Sequence, residues 1–377
     1  MIMPGNLILR EKPMLIAPIA NSDLVCLSCH SPITKKDFYR CPDCSWPMCN
    51  KECAYQEAHQ LECDVLSQDK SGIAVPRTLG ETPRYDLIFV LRGLLLKKTD
   101  PKAWDALMSM ESHAELRKND NDPYQKATVR YFKEVCKVDY DIDEIHHVRG
   151  AIVTNCLLFR NEFNISLRGI YPQVRLFNHS CTPNIRITSS PDGEIEARAA
   201  IKIDKNEPLC ISYVGTMEPL WKRQQSLTEI YKFRCQCERC SDPTELGVYF
   251  SSPRCPDCRR SFMVPPGDGT VEVWQCQGCG LKYEYIDVIQ EVSEWLYRID
   301  MKDVMLGKDT QKLSKEVDRF QDSFNELHYV PLQFTTALLK MLKDDSYHSL
   351  KLRQEILENH LNIYNVLEPG MTRRRGN

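Results

Sequence analysis

Apolar positions change their spacing several times along the chain, and each change predicts a different kind of element. Short apolar runs between prolines predict strands at about residues 6–10 and 14–17. Downstream, Leu87, Leu91 and further aliphatic residues recur at helical spacing, which continues to about residue 157. This block is predicted to be a helix bundle whose apolar stripe forms a core.

The spacing approaches a period of two after residue 184. Residues 184–189 and 194–200 flank Pro191-Asp192-Gly193, which predicts a β-hairpin because glycine tolerates the positive φ of tight turns. Residues 209–214 form a third candidate strand.

Helical spacing returns over residues 220–230 and again from about 287 to 367. The first of these helices is predicted to carry Arg223, Gln224 and Gln225 on its outward face. The second stretch is marked by apolar positions at Ile289, Val292, Trp295, Leu296, Ile299, Val317, Phe320, Phe324 and Leu327.

Composition narrows the class of protein. A chain of 377 residues is long enough for two or more domains, and its net charge of −3 lacks the basic surplus typical of nucleic-acid binding. The first residues given lack the basic, apolar and cleavage regions of a signal peptide, so a secreted protein is not expected. No apolar run reaches the roughly 18 residues of a membrane span. The 18 cysteines fall largely into C-x-x-C pairs, which in a reducing compartment indicate metal binding. The predicted location is the nucleus, the cytoplasm or both, without membrane attachment.

Seven cysteines and one histidine form the first cysteine block, in four ordered pairs. They are Cys26, Cys29, Cys41, Cys44, Cys49, Cys53, His59 and Cys63. Eight ligands of these types make two tetrahedral zinc sites, although spacing alone leaves their pairing open. Fewer than forty residues bury too little core to fold alone, so metal binding is expected to supply the folding energy.

Two further zinc sites are predicted downstream. Cys235, Cys237 and Cys240 supply three thiolates, and Cys181 is the natural fourth ligand. Cys255, Cys258, Cys276 and Cys279 form two C-x-x-C knuckles typical of a zinc ribbon. Three cysteines remain without a partner at metal spacing and are interpreted as buried small hydrophobes: Cys136, Cys156 and Cys210.

Three stretches resemble the functional motifs of SET-domain lysine methyltransferases. They are Asn178-His179-Ser180-Cys181, Ile211-Ser212-Tyr213, and the run from Tyr231 to Cys240. The first cysteine block resembles a MYND zinc finger, and the cysteines at 255–279 are similar to those of arthropod-type members. Over most of its length the chain therefore resembles SET-and-MYND (SMYD) proteins.

This resemblance implies an α+β protein. A small β-rich SET fold is interrupted by a MYND finger and a helical insert, and a post-SET zinc knot, a zinc ribbon and a C-terminal helical region follow. The implied boundaries are 1–25 for a truncated start of the SET domain, 26–63 for the MYND finger, 64–157 for the connector and helical insert, 158–214 for the SET core, 215–245 for the post-SET region, 246–285 for the ribbon and 286–377 for the helical region.

The resemblance also implies an activity and roles for individual residues. The activity is methyl transfer from S-adenosylmethionine to a protein lysine. Tyr213 would be the catalytic residue and would also contact the cofactor, together with Asn155, Asn178, His179 and Phe233. Tyr231 would line the substrate channel. Aromatic faces suit the cationic ammonium and sulfonium groups of these ligands.

For the finger, the resemblance implies interleaved zinc ligation and a partner. Cys26, Cys29, Cys49 and Cys53 would hold one ion, and Cys41, Cys44, His59 and Cys63 the other, which gives four zinc ions per chain. The finger would bind a protein substrate or a proline-containing peptide. The protein is expected to be a monomer.

Two departures from the family pattern keep a second hypothesis open. The chain begins after the glycine-rich strand that opens the SET fold, and Lys205-Asn206-Glu207-Pro208 replaces the usual Gly-Glu-Glu. A catalytically inactive scaffold or transcriptional corepressor is the alternative. Separately, the structural alternative for Tyr231 and Phe233 is a place in the core, and for Tyr213 it is packing at a strand end. A DNA-binding zinc protein is disfavoured, because the basic residues near the finger are too few: Lys35, Lys36, Arg40 and Lys51.

Overall fold

The computed structural model describes residues 1–34, 38–76, 81–120, 122–268, 270–298, 322–342 and 347–370. The chain forms two compact units. The N-terminal unit comprises Leu7–Phe177 and Ile187–Arg198, and the C-terminal unit comprises Met1–Asn6, Asn178–Arg186 and Ala199–Asn377. The fold is a mixed one, with small sheets and many helices, as the sequence predicts.

Eight short strands lie wholly or mainly in the N-terminal unit: β1 (Leu7–Glu11), β2 (Leu15–Pro18), β3 (Tyr39–Arg40), β4 (Pro47–Met48), β5 (Cys156–Arg160), β6 (Ser166–Ile170), β8 (Ile185–Ser189) and β9 (Ile195–Ala199). They make up three small sheets, in the orders β1-β9-β8, β2-β6-β5 and β3-β4. The predicted hairpin is confirmed, and Gly193 adopts a φ of 85° in its turn.

Seven α-helices belong to the described part of this unit. They are α1 (Lys51–Ala54), α2 (Glu57–Leu66), α3 (Tyr85–Thr99), α4 (Pro101–Met108), α5 (Ala114–Asn119), α6 (Pro123–Arg130) and α7 (Ile142–Asn155). A π-turn at Tyr131–Val135 follows α6, and a 3₁₀ turn spans Val174–Leu176.

The predicted apolar stripe forms the core of these helices. Leu87, Leu91 and Leu94 are buried in α3, where Gly93 permits close approach to α7: a Cβ at this position would lie 2.7 Å from Val148. Helix α4 begins where Asp100 caps it by accepting a hydrogen bond from the Ala103 amide.

The C-terminal unit contains short strands and five described helices. The strands are β7 (Asn178–His179), β10 (Cys210–Ile211), β11 (Met263–Val264), β12 (Val273–Cys276) and β13 (Lys282–Glu284). The helices are α8 (Leu220–Tyr231), α9 (Glu238–Ser241), α10 (Tyr285–Arg298), α11 (Tyr329–Met341) and α12 (Tyr347–Leu367). Of the apolar positions predicted for this region, Ile299, Val317 and Phe320 lie outside the described residues.

The outward placement of α8 polar residues is wrong for two of the three. Gln225 is exposed, but Arg223 and Gln224 are buried. Leu220, Arg223, Gln224 and Leu227 share the face that packs inward, because residues three and four apart lie on one side of a helix. Gln224 is satisfied there by a reciprocal pair of hydrogen bonds with the Cys235 backbone, of 2.8 and 3.0 Å.

The three cysteines without metal spacing differ in burial. Cys136 is buried, as expected, whereas Cys156 and Cys210 are only partly buried. Both lie in short strands, Cys156 in β5 and Cys210 in β10. Among the described residues, none of the helices combines the length and apolar character needed to cross a membrane.

Candidate active site and metal centres

Cysteine and histidine side chains come together in four groups, and in each the ligand atoms all lie within 4.8 Å of one another. The first finger group is Cys26, Cys29, Cys49 and Cys53, and the second finger group is Cys41, Cys44, His59 and Cys63. The Cys181 group is Cys181, Cys235, Cys237 and Cys240. The Cys255 group is Cys255, Cys258, Cys276 and Cys279. These are the sets that the sequence and the resemblance predict.

The spacing of the sulfur atoms suits zinc. Sγ–Sγ distances are 3.4 Å for Cys49–Cys53, 3.5 Å for Cys181–Cys240 and 3.6 Å for Cys258–Cys276. Ligands about 2.3 Å from a tetrahedral ion lie roughly 3.8 Å apart, so a slight widening of each group accommodates zinc. All of these cysteines are free thiols rather than disulfides.

A carboxylate and a guanidinium support the second finger group. His59 turns its Nε2 towards Cys44 and its Nδ1 towards Glu62, whose Oε2 lies 3.9 Å away. Glu62 is also paired with Arg92, which donates to the Leu27 carbonyl in the finger. Burial raises the pKa of Glu62, but the Arg92 and His59 charges outweigh it, so the pKa lies below its usual value. Such partners fix the orientation of a ligating histidine.

The Cys181 group draws its ligands from three places in the C-terminal unit. Cys181 follows strand β7, Cys235 and Cys237 lie between α8 and α9, and Cys240 lies within α9. Cys181, Cys235 and Cys240 are almost completely buried. The pairing of β7 with β10 is parallel and brings Asn178 opposite Cys210 and His179 opposite Ile211.

His179 joins this group to Tyr213. Its Nδ1 accepts a 3.0 Å hydrogen bond from the Tyr213 backbone N–H, so the ring proton belongs on Nε2. That Nε2 lies 3.3 Å from Cys181 Sγ, where it can donate to a thiolate. The same contact explains why the strand predicted over 209–214 pairs only at Cys210–Ile211. The Tyr213 amide bonds to a side chain instead of to β7.

Four rings form a continuous aromatic wall beside these contacts. Ring centroids are 5.2 Å apart for His179–Tyr213, 4.8 Å for Tyr213–Tyr231 and 5.9 Å for His179–Phe233. The Tyr231 hydroxyl donates to the Tyr213 carbonyl at 3.2 Å. Phe233 is 37% exposed and Tyr231 is partly buried, so neither is an ordinary core residue.

Tyr213 and Asn178 both remain accessible to a ligand. Tyr213 is partly buried, and burial raises the pKa of its phenol, so the hydroxyl keeps its proton at neutral pH. Asn178 is exposed. The fifth predicted cofactor residue, Asn155, lies at the end of α7 in the N-terminal unit. Its amide donates to the Glu111 and Ala151 carbonyls, and its contact with a cofactor stays a prediction.

Sequence reasoning missed a buried ionic group next to the Cys181 group. Arg223, Arg239 and Glu245 form it, and all three side chains are excluded from solvent. One signal was present in the sequence, since Arg223 lies on the apolar face of α8 between Leu220 and Leu227. The partner Glu245 is distant in sequence and follows no spacing rule.

The comparison with protein families places this site in a known class. A family model described as SET domain matches residues 25–214, which is half of the chain. The protein belongs to the SET-domain family, and its relatives place it among the SET-and-MYND proteins.

Three relatives illustrate the similarity. The chain is 25% identical over 287 residues to the Drosophila melanogaster SET domain-containing protein SmydA-8, isoform A, covering 74% of this chain and 61% of the relative. It is 28% identical over 256 residues to the Xenopus laevis N-lysine methyltransferase SMYD2-B, covering 61% and 53%. It is 25% identical over 368 residues to the Arabidopsis thaliana histone-lysine N-methyltransferase ASHR1, covering 90% and 74%. The chain thus spans about three-fifths of SmydA-8 and half of SMYD2-B.

Proposed function

We propose that the protein is a protein-lysine N-methyltransferase that uses S-adenosylmethionine. The observation that carries this proposal is the arrangement of Tyr213, whose backbone N–H is bonded to His179 and whose ring packs at a tilt against Tyr231. Two relatives are named as lysine methyltransferases, SMYD2-B and ASHR1. Both facts favour the same reaction.

The residues present suit this cofactor. Asn178 offers amide donors and an acceptor to its polar groups, and Phe233 offers an aromatic face to a sulfonium. Asn155 and His179 complete the proposed set. When bound, S-adenosylmethionine supplies an electrophilic methyl group.

The protein's own contribution is alignment and exclusion of water. Tyr213 would orient the substrate amine by its hydroxyl, which burial keeps protonated. The rings of Tyr213 and Tyr231 would form the wall of a narrow channel that holds the amine in line with the methyl and strips its water. Alignment and desolvation of this kind can lower a barrier by several kcal/mol.

The zinc groups would build the modules around this site. In this proposal, residues 26–63 form a MYND finger that binds a proline-containing peptide or the protein substrate, residues 215–245 form the post-SET knot, and residues 246–285 form a zinc ribbon. Four zinc ions, monomeric behaviour and a nuclear or cytoplasmic location belong to the same proposal.

A binding protein without catalysis is the second candidate. The departure at Lys205–Pro208 favours it, because this segment adjoins strand β10 and the asparagine Asn184 that bonds to the Pro208 carbonyl. Such a scaffold would use the finger and keep the SET shell as a structural element.

Calorimetric titration with S-adenosylmethionine separates the two candidates. Wild-type protein and an Asn178→Ala variant would be titrated, with Asn119→Ala, an exposed asparagine of α5, as the matched control. The enzyme proposal predicts binding by wild type and N119A and weaker binding by N178A. Transfer of labelled methyl to a protein or peptide lysine would complete the test. Absence of binding at millimolar cofactor would reject the enzyme and favour the scaffold.

A further inference from the structure

Two arginines and one glutamate are buried together beside the Cys181 group. The side chains of Arg223, Arg239 and Glu245 are 0%, 0% and 1% exposed. Glu245 Oε1 lies 3.0 Å from Arg223 Nη1 and 3.0 Å from Arg239 Nη2. Two guanidinium groups share a single carboxylate, so this triad carries a surplus charge of about +1, because arginine stays protonated in proteins. A buried charge without compensation is strongly destabilising.

The nearest balancing charge is the cysteine group itself. Arg223 Nη2 donates to Cys240 Sγ at 3.8 Å. A zinc ion held by four thiolates has a net charge of about −2, so an occupied centre balances the surplus charge of the triad, and the triad offsets about half of the charge of the centre. His328, a buried histidine that interacts electrostatically with Glu245, adds no charge to the triad at neutral pH, because burial lowers its pKa to about 3.

The same arginines hold the loop that follows Tyr213. Arg239 Nη1 donates to the Thr216 carbonyl at 2.6 Å, and Arg223 Nη1 donates to the Glu218 carbonyl at 2.6 Å. These acceptors lie three and five residues after Tyr213 in the chain. One pair of guanidinium groups therefore contacts both a thiolate ligand and the segment that continues from the proposed catalytic tyrosine.

Glu245 fixes the triad from its other side. Its Oε2 accepts a 2.7 Å hydrogen bond from the Ser251 amide, and Ser251 Oγ accepts one of 2.7 Å from the Leu220 amide at the start of α8. Both carboxylate oxygens are thus used, and the arginines have little freedom to reorient. The triad is therefore held in one arrangement, unlike an exposed salt bridge whose side chains can reorient.

We propose that Arg223, Arg239 and Glu245 form the built-in counter-charge of the zinc centre and that the two arginines are positioning residues for the Tyr213 loop. Occupancy of the Cys181 group by zinc compensates the surplus charge and keeps the arginines on the Thr216 and Glu218 carbonyls. Loss of the metal frees the four sulfurs from one another and so removes the fixed anionic partner of Arg223, which releases the loop. The proposal rests on zinc in this group and not on methyl transfer.

The proposed counter-charge role of Arg223 can be tested by measuring how well full-length variants retain zinc in the Cys181 group. Arg223→Met removes the surplus charge, Arg223→Lys keeps it with altered geometry, and Arg234→Met is the matched control. Arg234 adjoins Cys235 but is 43% exposed and pairs with the surface Glu272. Zinc release to a chelator would be followed together with alkylation of Cys181, Cys235, Cys237 and Cys240 by mass spectrometry, which reports on this group alone.

R223M is expected to weaken zinc binding in this group by 10- to 100-fold, the usual effect of losing a partner of a metal ligand. R223K should retain zinc much better than R223M, and R234M should match wild type. Equal retention by R223M and R234M would overturn the counter-charge. So would a loss in R223K as large as in R223M. If R223M does not fold, the comparison of R223K with Arg223→Gln decides the point.

Hydrogen exchange tests the link to the loop without any assay of activity. Amides of residues 214–218 should exchange faster after zinc is removed, and Arg239→Met with zinc bound should show the same increase. Exchange that is insensitive to both changes would contradict the positioning role. Because neither readout uses methyl transfer, an inactive protein would still give a clear answer.

Discussion

Two four-cysteine groups in the C-terminal unit have identical ligands but differ in how far those ligands are exposed. In the Cys181 group three of the four cysteines are at most 3% exposed. In the Cys255 group Cys279 is exposed and Cys258 is partly buried. Zinc would give both centres the same charge of about −2. Water can screen that charge at the Cys255 group, whereas the buried group needs charges supplied by the protein.

The hydrogen-bond donors to sulfur follow the same division. At the Cys255 group the amides of Gly278 and Cys279 point at Cys276 Sγ, at 3.3 and 3.4 Å, which is a local feature of the knuckle. The Cys181 group has one such local donor, the Cys237 amide to Cys235 Sγ at 3.4 Å. It also receives side-chain donors from the neighbouring His179 and from Arg223, which is 17 residues from Cys240. The exposed group can therefore be a self-contained module, and the buried one is tied to Tyr213 and to the triad.

Removing one ligand from each group should give the largest contrast. Cys181→Ser is expected to lose one zinc per chain, to lower the free energy of unfolding by about 4 kcal/mol or more, and to abolish cofactor binding, because it leaves buried charges unbalanced. Cys279→Ser should lose one zinc with a much smaller effect. Zinc content and urea unfolding measure both. Equal destabilisation by the two variants would refute the division.

A substitution at Tyr213 should lower methyl transfer while leaving zinc binding and stability unchanged. Tyr213→Phe is expected to lower methyl transfer by on the order of 100-fold, because the amine loses the hydroxyl that orients it. Zinc content and unfolding should stay near wild type. Tyr249→Phe removes another partly exposed hydroxyl of the same unit and serves as the control. A fall in zinc content in Y213F would mean that the tyrosine acts through the fold.

How far the sequence predicts this site depends on the kind of interaction. The ligating cysteines were predictable because residue type and C-x-x-C spacing are local signals, whereas the pairing within the finger followed only from the family resemblance. The inward face of α8 was not predicted, because periodicity counts Arg223 and Gln224 as polar. Their burial depends on Glu245 and on the Cys235 backbone, which only the folded chain brings near.

Strand limits were predicted less well for a similar reason. Alternation over 209–214 indicates a strand, but a ladder also needs a free amide at each step. The Tyr213 amide is bonded to the His179 ring, so pairing ends at Ile211. A side chain that competes for backbone donors leaves no mark in a hydrophobic pattern.

Acid should affect the buried region through His328. Burial lowers its pKa to about 3, below the ordinary value of about 6.5, so between these pH values only the unfolded chain binds the proton. Stability should therefore fall as pH drops below 6.5. Between pH 7.5 and pH 5 wild type should lose about 2 kcal/mol more than His328→Asn, which keeps a residue able to cap α11. Urea unfolding at both pH values measures this difference. Identical losses in the two proteins would contradict the assignment.

Alkylation of the most exposed cysteine of the two groups should have the smallest effect on stability. Limiting alkylating reagent is expected to modify Cys279 before any member of the Cys181 group, since Cys279 is exposed and Cys181 is not. Peptide mass spectrometry over time records the order. The unfolding free energy after this first modification should change little. Modification of Cys235 or Cys240 at the same rate as Cys279 would show that the burial difference does not protect the thiolates.

The distance along the chain between Cys181 and Cys235 has a further consequence. About fifty residues lie between them. A cross-link that closes a loop of this length removes roughly 4 kcal/mol of conformational entropy from the unfolded chain in the polymer description. In a reducing compartment a disulfide cannot provide this cross-link, but a metal ion bound by both segments can. Zinc would then be a reversible cross-link between Cys181 and the cysteines at 235–240, and zinc availability would decide whether the cross-link is present.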